Sequence, residues 1–202
     1  MHSQNNEEQI ILEYFKDHIG VFLDIGANDG ITLSNTRRLA KMGWSGVCVE
    51  PSPTVFNKLS KLYEDNQNIQ CVPFAISNSS GKCTFYESNE HLGNGDYSLL
   101  STLIESEIDR WKGTQTFTKI EVDTITIDRL FEISNFKKFD FISIDCEGLD
   151  YEILKNIKPY ISETKMICVE WNSIGLDKYT SLLSNHRLHS KNYENLIFTL
   201  NQ

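Results

Sequence analysis

Four carboxylates in this chain each close an apolar run, and in that position they could bind a ligand or move a proton. Val21-Phe22-Leu23 ends in Asp24 and then breaks into the turn Gly26-Ala27-Asn28-Asp29-Gly30. Gly46-Val47-Cys48-Val49 ends in Glu50, followed by Pro51-Ser52-Pro53. Phe139-Asp140-Phe141-Ile142-Ser143-Ile144 ends in Asp145-Cys146-Glu147-Gly148, and Met166-Ile167-Cys168-Val169 ends in Glu170. Such carboxylates accept hydrogen bonds from ribose hydroxyls, hold cationic groups, or take the proton of a reacting hydroxyl. Strand, glycine turn, helix, strand and acid, in that order, is the βαβ arrangement for a nucleoside-containing cofactor.

The elements that must position these acids alternate along the chain. Ile10, Ile11, Tyr14 and Phe15 have helical spacing and predict a helix over 7–17, within an N-terminal segment 1–18. Strands are expected at 20–24, 46–50 and 69–76, with helices at 32–42 and 54–64 between them. Asn78-Ser79-Ser80-Gly81 is a turn signal, after which 82–87 is expected to pair back as a hairpin strand. Residues 88–113, which include Gly93-Asn94-Gly95-Asp96, are irregular and long, and predict a mobile cover over a site. A strand at 117–122, a helix at Ile127–Ile133 and the strand ending at Asp145 follow. The chain closes with a helix at 149–157, a strand at Met166–Glu170, a helix at 176–183 and short strands near 188 and 196–200.

Strands alternating with helices give an α/β fold: one Rossmann-like domain over 1–202, mostly parallel, with helices on both faces and an antiparallel C-terminal strand. Ligands in such sheets bind beyond the carboxyl ends of the strands, so Asp24, Glu50, Asp145 and Glu170 are expected on one rim.

With 202 residues, 40% hydrophobic and 23% charged, the chain can bury one ordinary core. A net charge of −9 repels polyanions, which argues against nucleic acid and anionic membranes as partners. The polar start, Met1 to Glu8, predicts no secretory signal, and no apolar run approaches the ~20 residues that span a bilayer. Cys48, Cys71, Cys83, Cys146 and Cys168 form no Cys-x-x-Cys pair and are expected to be reduced thiols of a cytoplasmic protein. Cys146, beside the acids, is the one alternative nucleophile.

Charge also separates the candidate cofactors. A nucleoside triphosphate would require a lysine after the glycine turn, and none follows Gly30. A dinucleotide requires a middle glycine where this chain has Asn28, and Asp24 and Asp29 would repel its pyrophosphate. S-adenosylmethionine has no phosphate and carries cationic sulfonium and amino groups. The turn therefore favours it, with Glu50 accepting from both ribose hydroxyls.

Five motifs taken together resemble the FkbM-type methyltransferases from about residue 19 to Glu170. They are Phe22 to Gly30, Glu50-Pro51-Ser52-Pro53, Val122-Asp123-Thr124-Ile125-Thr126-Ile127-Asp128, Ile144-Asp145-Cys146-Glu147-Gly148 and Val169-Glu170. The resemblance implies a class I, S-adenosylmethionine-dependent methyltransferase domain acting on a hydroxyl, most often of a sugar, glycan or polyketide. It implies that Asp24, Gly26, Ala27, Asn28 and Glu50 hold the cofactor, within a site that includes Asp29, Gly30 and Pro51. It also places Ala75 near the adenine and Ser101 in a serine-rich segment close to the cofactor. Family members often carry valine where Cys146 stands.

A sugar hydroxyl is a poor nucleophile and must lose its proton during attack. Asp145 is the first candidate for the base, with Glu147 and Glu170 orienting the hydroxyl. The alternative is a divalent cation held by Asp145, Glu147 and Glu170. Against these roles stands helix capping, which any of the strand-end acids could perform. Glu170-Trp171-Asn172 serves equally well as active-site rim or as packing. His91 is a lone loop histidine, and no zinc pattern surrounds His186 or His189. Rival functions are methylation of a nucleobase or protein nitrogen, a silent cofactor-binding subunit, and an NAD oxidoreductase. The expected partner is a sugar, glycan or other small hydroxylated acceptor. The methylated position and the oligomeric state are not legible in the sequence.

Overall fold

The computed structural model describes residues 2–93, 95–171 and 174–201. Asn94 and Asn172, both in segments singled out above, lie outside the described residues. The chain opens with helix α1 (Glu7–Phe15), strand β1 (Val21–Ile25), helix α2 (Arg37–Lys41), strand β2 (Ser45–Val49), helix α3 (Pro53–Leu62) and strand β3 (Ile69–Val72). Strands β4 (Ala75–Ile76), β5 (Gly81–Ser88) and β6 (Phe117–Ile125) come next, then helix α4 (Ile127–Ile133) and strand β7 (Phe141–Ile144). Helix α5 (Asp150–Ile157), strand β8 (Met166–Glu170), helix α6 (Leu176–Leu182) and strands β9 (His186–Lys191) and β10 (Asn195–Leu200) complete it.

The main sheet has seven strands in the order β3-β2-β1-β7-β8-β10-β9. The pairs β2–β3, β1–β2, β1–β7 and β7–β8 are parallel, and β10 runs antiparallel to both neighbours. After β3 the chain crosses to the far side of β1. That reversal opens a crevice above the carboxyl ends of β1 and β7.

Successive residues on these strands feed two cores, as a pleat requires. Leu23, Ile25, Val47, Val49, Ile142 and Ile144 pack with Leu130 of α4, Leu154 of α5 and Tyr179 of α6. Phe22, Cys48 and Phe141 face the other way, onto Ile11 of α1, Leu39 of α2 and Leu59 of α3. The sheet is therefore covered on both faces, and its strands can be nearly all apolar.

Three expectations required correction. The strand expected at 69–76 is two strands, because Pro73 cannot donate to a ladder. β3 stays in the main sheet, while β4 joins a small sheet of order β4-β6-β5. The hairpin partner of β5 is accordingly β6, in an antiparallel ladder from Gly81↔Thr124 to Ser88↔Phe117. The helix expected at 32–42 shortens to α2, because side chains hold the preceding residues in turns. Asp29 Oδ1 accepts from the amides of Ile31 (2.8 Å) and Thr32 (2.7 Å), and Ser34 Oγ accepts from that of Arg37 (3.0 Å). No helix among the described residues is long and apolar enough to cross a membrane.

Candidate active site

A cavity of about 520 Å³ lies over the carboxyl ends of β1, β2, β7 and β8. Asp24, Glu50, Asp145 and Glu170 all line it. So do Gly26, Ala27 and Asn28 of the turn, Pro51 and Ala75, Ser101 of the cover segment, and Glu147. Asp29 and Gly30 do not. Asp29 is occupied with the amides of residues 31 and 32, and the Gly30 amide donates to the Ala27 carbonyl (2.9 Å). Both shape the turn from outside the cavity.

The turn after β1 is fixed from two sides. The amides of Gly26 and Ala27 both donate to the Val49 carbonyl (3.0 Å each), which ties it to the end of β2. The Asn28 amide donates to Glu50 Oε2 (2.9 Å), and Glu50 Oε1 accepts from the Ser52 amide (2.8 Å). Glu50 thus joins the two loops while facing the cavity, so the acid nominated for ribose also holds the backbone around it. Asp24 accepts from Thr36 Oγ1 (2.5 Å), just before α2.

Protein surrounds these carboxyls and penalises their charge. Burial raises Asp24 to about 6 against the pull of the Thr36 hydroxyl. Burial raises Glu50 to about 7 against its two amide donors, with Glu87 and Asp24 adding repulsion. Asp145 is solvent-accessible through the cavity yet enclosed by protein. That enclosure, and then the Glu170 carboxylate, push it well above the ordinary range. Glu147 rises well above its ordinary range too, through burial, Glu170 and Asp145, with Arg110 opposing. The Cys146 thiol also goes well up, through burial and Asp150, so its sulfur is a poor nucleophile and is unsuited to the alternative role.

The acids that cluster are not the three expected. Carboxylate oxygens of Asp145, Asp150 and Glu170 lie within 4.8 Å of one another, and Glu147 is not in that group. Asp150 at the start of α5 accepts from the amides of Cys146 (2.7 Å) and Gly148 (3.0 Å). It is the first residue of α5, and its carboxylate pins the turn that precedes the helix, while Asp145 and Glu147 line the cavity. Each Asp150 oxygen accepts one amide and keeps a second lone pair, so a cation held by these three acids would share Asp150 with the turn.

The cover segment is more ordered than its sequence suggests. Tyr86 and Thr102 exchange backbone hydrogen bonds (2.9 and 3.2 Å), and Glu105–Trp111 forms a 3-10 helix. The Ser88 amide donates to Ser101 Oγ (2.8 Å), which lies 2.6 Å from Ser98 Oγ. Asn28 Nδ2 donates to the Tyr97 carbonyl (3.0 Å), so the cover meets the turn after β1 directly. His91 reaches the cavity wall, and Gln115 Nε2 lies 3.1 Å from its Nδ1.

Sequence reading missed Arg110, Trp111 and Glu194 as cavity residues. Nothing local marks them, since only the fold brings 110, 145 and 194 together. Trp171 lines the wall beside Glu170 and also packs against the core. Among the described residues the wall carries six carboxylates (Asp24, Glu50, Asp145, Glu147, Glu170 and Glu194) against the single guanidinium of Arg110. A ligand with positive charge suits it, and a pyrophosphate does not.

Residues 24–194 match the methyltransferase FkbM domain, and the chain belongs to that family. It is 24% identical over 159 residues to the 2-O-methyltransferase NoeI of Sinorhizobium fredii, covering 75% of this chain and 63% of the relative. The chain thus spans less than two thirds of that relative's length. Among solved structures it is similar to the methyltransferase FkbM of Methylobacillus flagellatus, with a TM-score of 0.55 and 15% identity over 90% of this chain and 44% of the other. It is also similar to the ribosomal protein L11 methylase of Lactobacillus delbrueckii, with a TM-score of 0.54 and 11% identity over 98% and 79%. At these identities the structural likenesses establish the Rossmann-like fold alone.

Proposed function

We propose that this member of the FkbM family is an S-adenosylmethionine-dependent O-methyltransferase whose acceptor is a hydroxyl of a sugar or glycan. The observation that carries the reading is the acid-lined cavity at the switch point between β1 and β7. Its charge matches a sulfonium and an ammonium group. The kinship with NoeI supports oxygen as the atom methylated.

When bound, S-adenosylmethionine supplies an electrophilic methyl group on a cationic sulfur. The 26–28 backbone, Asp24, Glu50, Pro51, Ala75 and Ser101 would hold it. Each Glu50 oxygen already accepts one amide and keeps a second lone pair for a ribose hydroxyl. Holding the acceptor oxygen beside Asp145 would supply much of the rate. Burial and Glu170 raise the proton affinity of Asp145, which a base needs in order to take a hydroxyl proton. Glu147 and Glu170, which line the same cavity, would orient the acceptor.

Calorimetry with S-adenosylhomocysteine and with NAD tests the cofactor. Micromolar binding of the first and none of the second is expected, and the reverse would overturn the reading. Labelled S-adenosylmethionine with methyl glycosides, nucleotide sugars, oligosaccharides and hydroxylated polyketides tests the acceptor. Transfer confined to polyketides would replace the sugar.

A further inference from the structure

We propose that Thr102 is a positioning residue for this reaction: its hydroxyl fixes the left-handed turn that presents Glu147 to the acceptor. The inference rests on the role proposed for Glu147 and explains how the cover segment and the acid turn become one unit. Thr102 is almost fully buried at 1% exposure. Its hydroxyl donates to the Glu147 carbonyl (2.7 Å) and accepts from the Ile104 amide (3.0 Å). Its own backbone is pinned to Tyr86 of β5 in both directions.

The turn it holds is an unfavourable one. Glu147 has φ 46° and Gly148 φ 104°. A left-handed glutamate persists only where its surroundings over-determine it. Two contacts do so here. Asp150 holds the turn from the α5 side through the amides of Cys146 and Gly148. Thr102 holds it from the cover side through the carbonyl between them. Ile104 and Glu107 then close over Gly148, where an added Cβ would lie 3.2 and 3.0 Å from their side chains. Without the Thr102 hydroxyl the Glu147 carbonyl loses its side-chain donor, and the backbone can relax to a right-handed conformation. The carboxylate would then turn away from Glu170 and Asp145. A second consequence is that residues 101–104 cannot lift without moving Glu147.

The test compares Thr102→Val, which keeps the shape and removes the hydroxyl, with Thr102→Ser, which keeps the hydroxyl. The Glu147 carboxyl carbon is followed by NMR across pH, with amide exchange of 146–148 measured alongside, and neither needs cofactor or acceptor. In the wild type and in Thr102→Ser, Glu147 should titrate above the ordinary carboxylate range and the three amides should be protected. In Thr102→Val the titration should fall toward the ordinary range and exchange should rise at least tenfold, with β7 unchanged. Identical behaviour of Thr102→Val and wild type overturns the proposal, as does Thr102→Ser behaving like Thr102→Val. If Thr102→Val does not fold, the wild-type hydroxyl proton decides. A slowly exchanging Thr102 hydroxyl resonance close to the Gly148 amide supports the role, and a rapidly exchanging one overturns it. Absence of S-adenosylhomocysteine binding would defeat the proposed function and leave these readings of the turn intact.

Discussion

Gly26 and Asp145 meet backbone to backbone: a Cβ at position 26 would stand 1.8 Å from the Asp145 carbonyl oxygen. The Asp145 amide in turn donates to the Ile25 carbonyl (3.0 Å), so the turn after β1 and the acid turn are stitched together where β1 and β7 end. Gly26 also has φ 87°, which side chains disfavour. One position thus answers for the separation of the two halves of the site.

Gly26→Ala should destabilise the fold by roughly 2–4 kcal/mol, from backbone strain plus displacement of the β7 end. S-adenosylhomocysteine binding should be lost even where the variant remains folded. Urea unfolding and calorimetry check both parts. A variant with wild-type stability would show that the two turns separate freely.

Glu50→Ala should weaken S-adenosylhomocysteine binding by about 1–3 kcal/mol and also lower stability by a similar amount. The second effect is the structure's addition. A strand-end acid facing ligand is expected to leave the fold alone, but this one accepts the amides of Asn28 and Ser52. Calorimetry and thermal unfolding on the same samples separate the two. A loss of affinity with unchanged stability would return Glu50 to a purely ligand-facing role.

How much of this was legible beforehand depends on the range of the signal. The strand-end acids could be read because an apolar run of four or five residues ending in a carboxylate is a local pattern, and Met166–Glu170 has the bounds expected from it. The role of Asp150 was hidden by its neighbours. Three acids within six residues look alike until one of them is seen to hold the amides of Cys146 and Gly148. The partner of β5 was misjudged because hairpins are the default after a tight turn, and only the position of β6 reveals the other pairing. Arg110 and Glu194 carry no local signal at all.

Stability should fall as pH rises from about 4.5 to about 7. Glu50 has a folded value of about 7 against an ordinary 4.5, and Asp24 about 6 against 3.8. Both are raised, so the folded state holds more protons in that window. Their contribution is complete below the ordinary values and is lost as pH passes the folded ones. Glu50→Gln should flatten this slope, by an amount on the order of 3 kcal/mol across the window. Denaturant titrations at pH 5, 6, 7 and 8 measure it. A stability that climbs over this range would mean that both carboxyls are ionised at little cost.

Hydrogen exchange should divide the cover segment. Residues 98–103, held by Ser88, Tyr86 and Glu147, should be protected without ligand. Residues 89–93, whose amides at 89, 91 and 92 are held by the Thr116 carbonyl and the Asp96 carboxylate, should exchange faster than 98–103 and slow when S-adenosylhomocysteine binds, because the Asn28–Tyr97 bond links the cover to the turn after β1. Uniformly fast exchange from 88 to 113 would mean that the serine network does not hold in solution. Slow exchange at 89–93 that ligand leaves unaltered would remove the case for a lid.

Asp145→Asn isolates the chemistry. The substitution keeps the size, exchanges one acceptor oxygen for an amide donor, and cannot take a proton. If Asp145 is the general base, affinity for S-adenosylhomocysteine should be retained while turnover falls by roughly 10²–10⁴-fold. Chelator should then leave the wild type unaffected. Activity that chelator abolishes and Mg²⁺ or Mn²⁺ restores would instead make Asp145 and Glu170 metal ligands, with Asp150 the third acid beside them. Near-normal turnover in Asp145→Asn would defeat both roles. The base would then be sought at Glu147, the other carboxylate of the acid turn that lines the cavity.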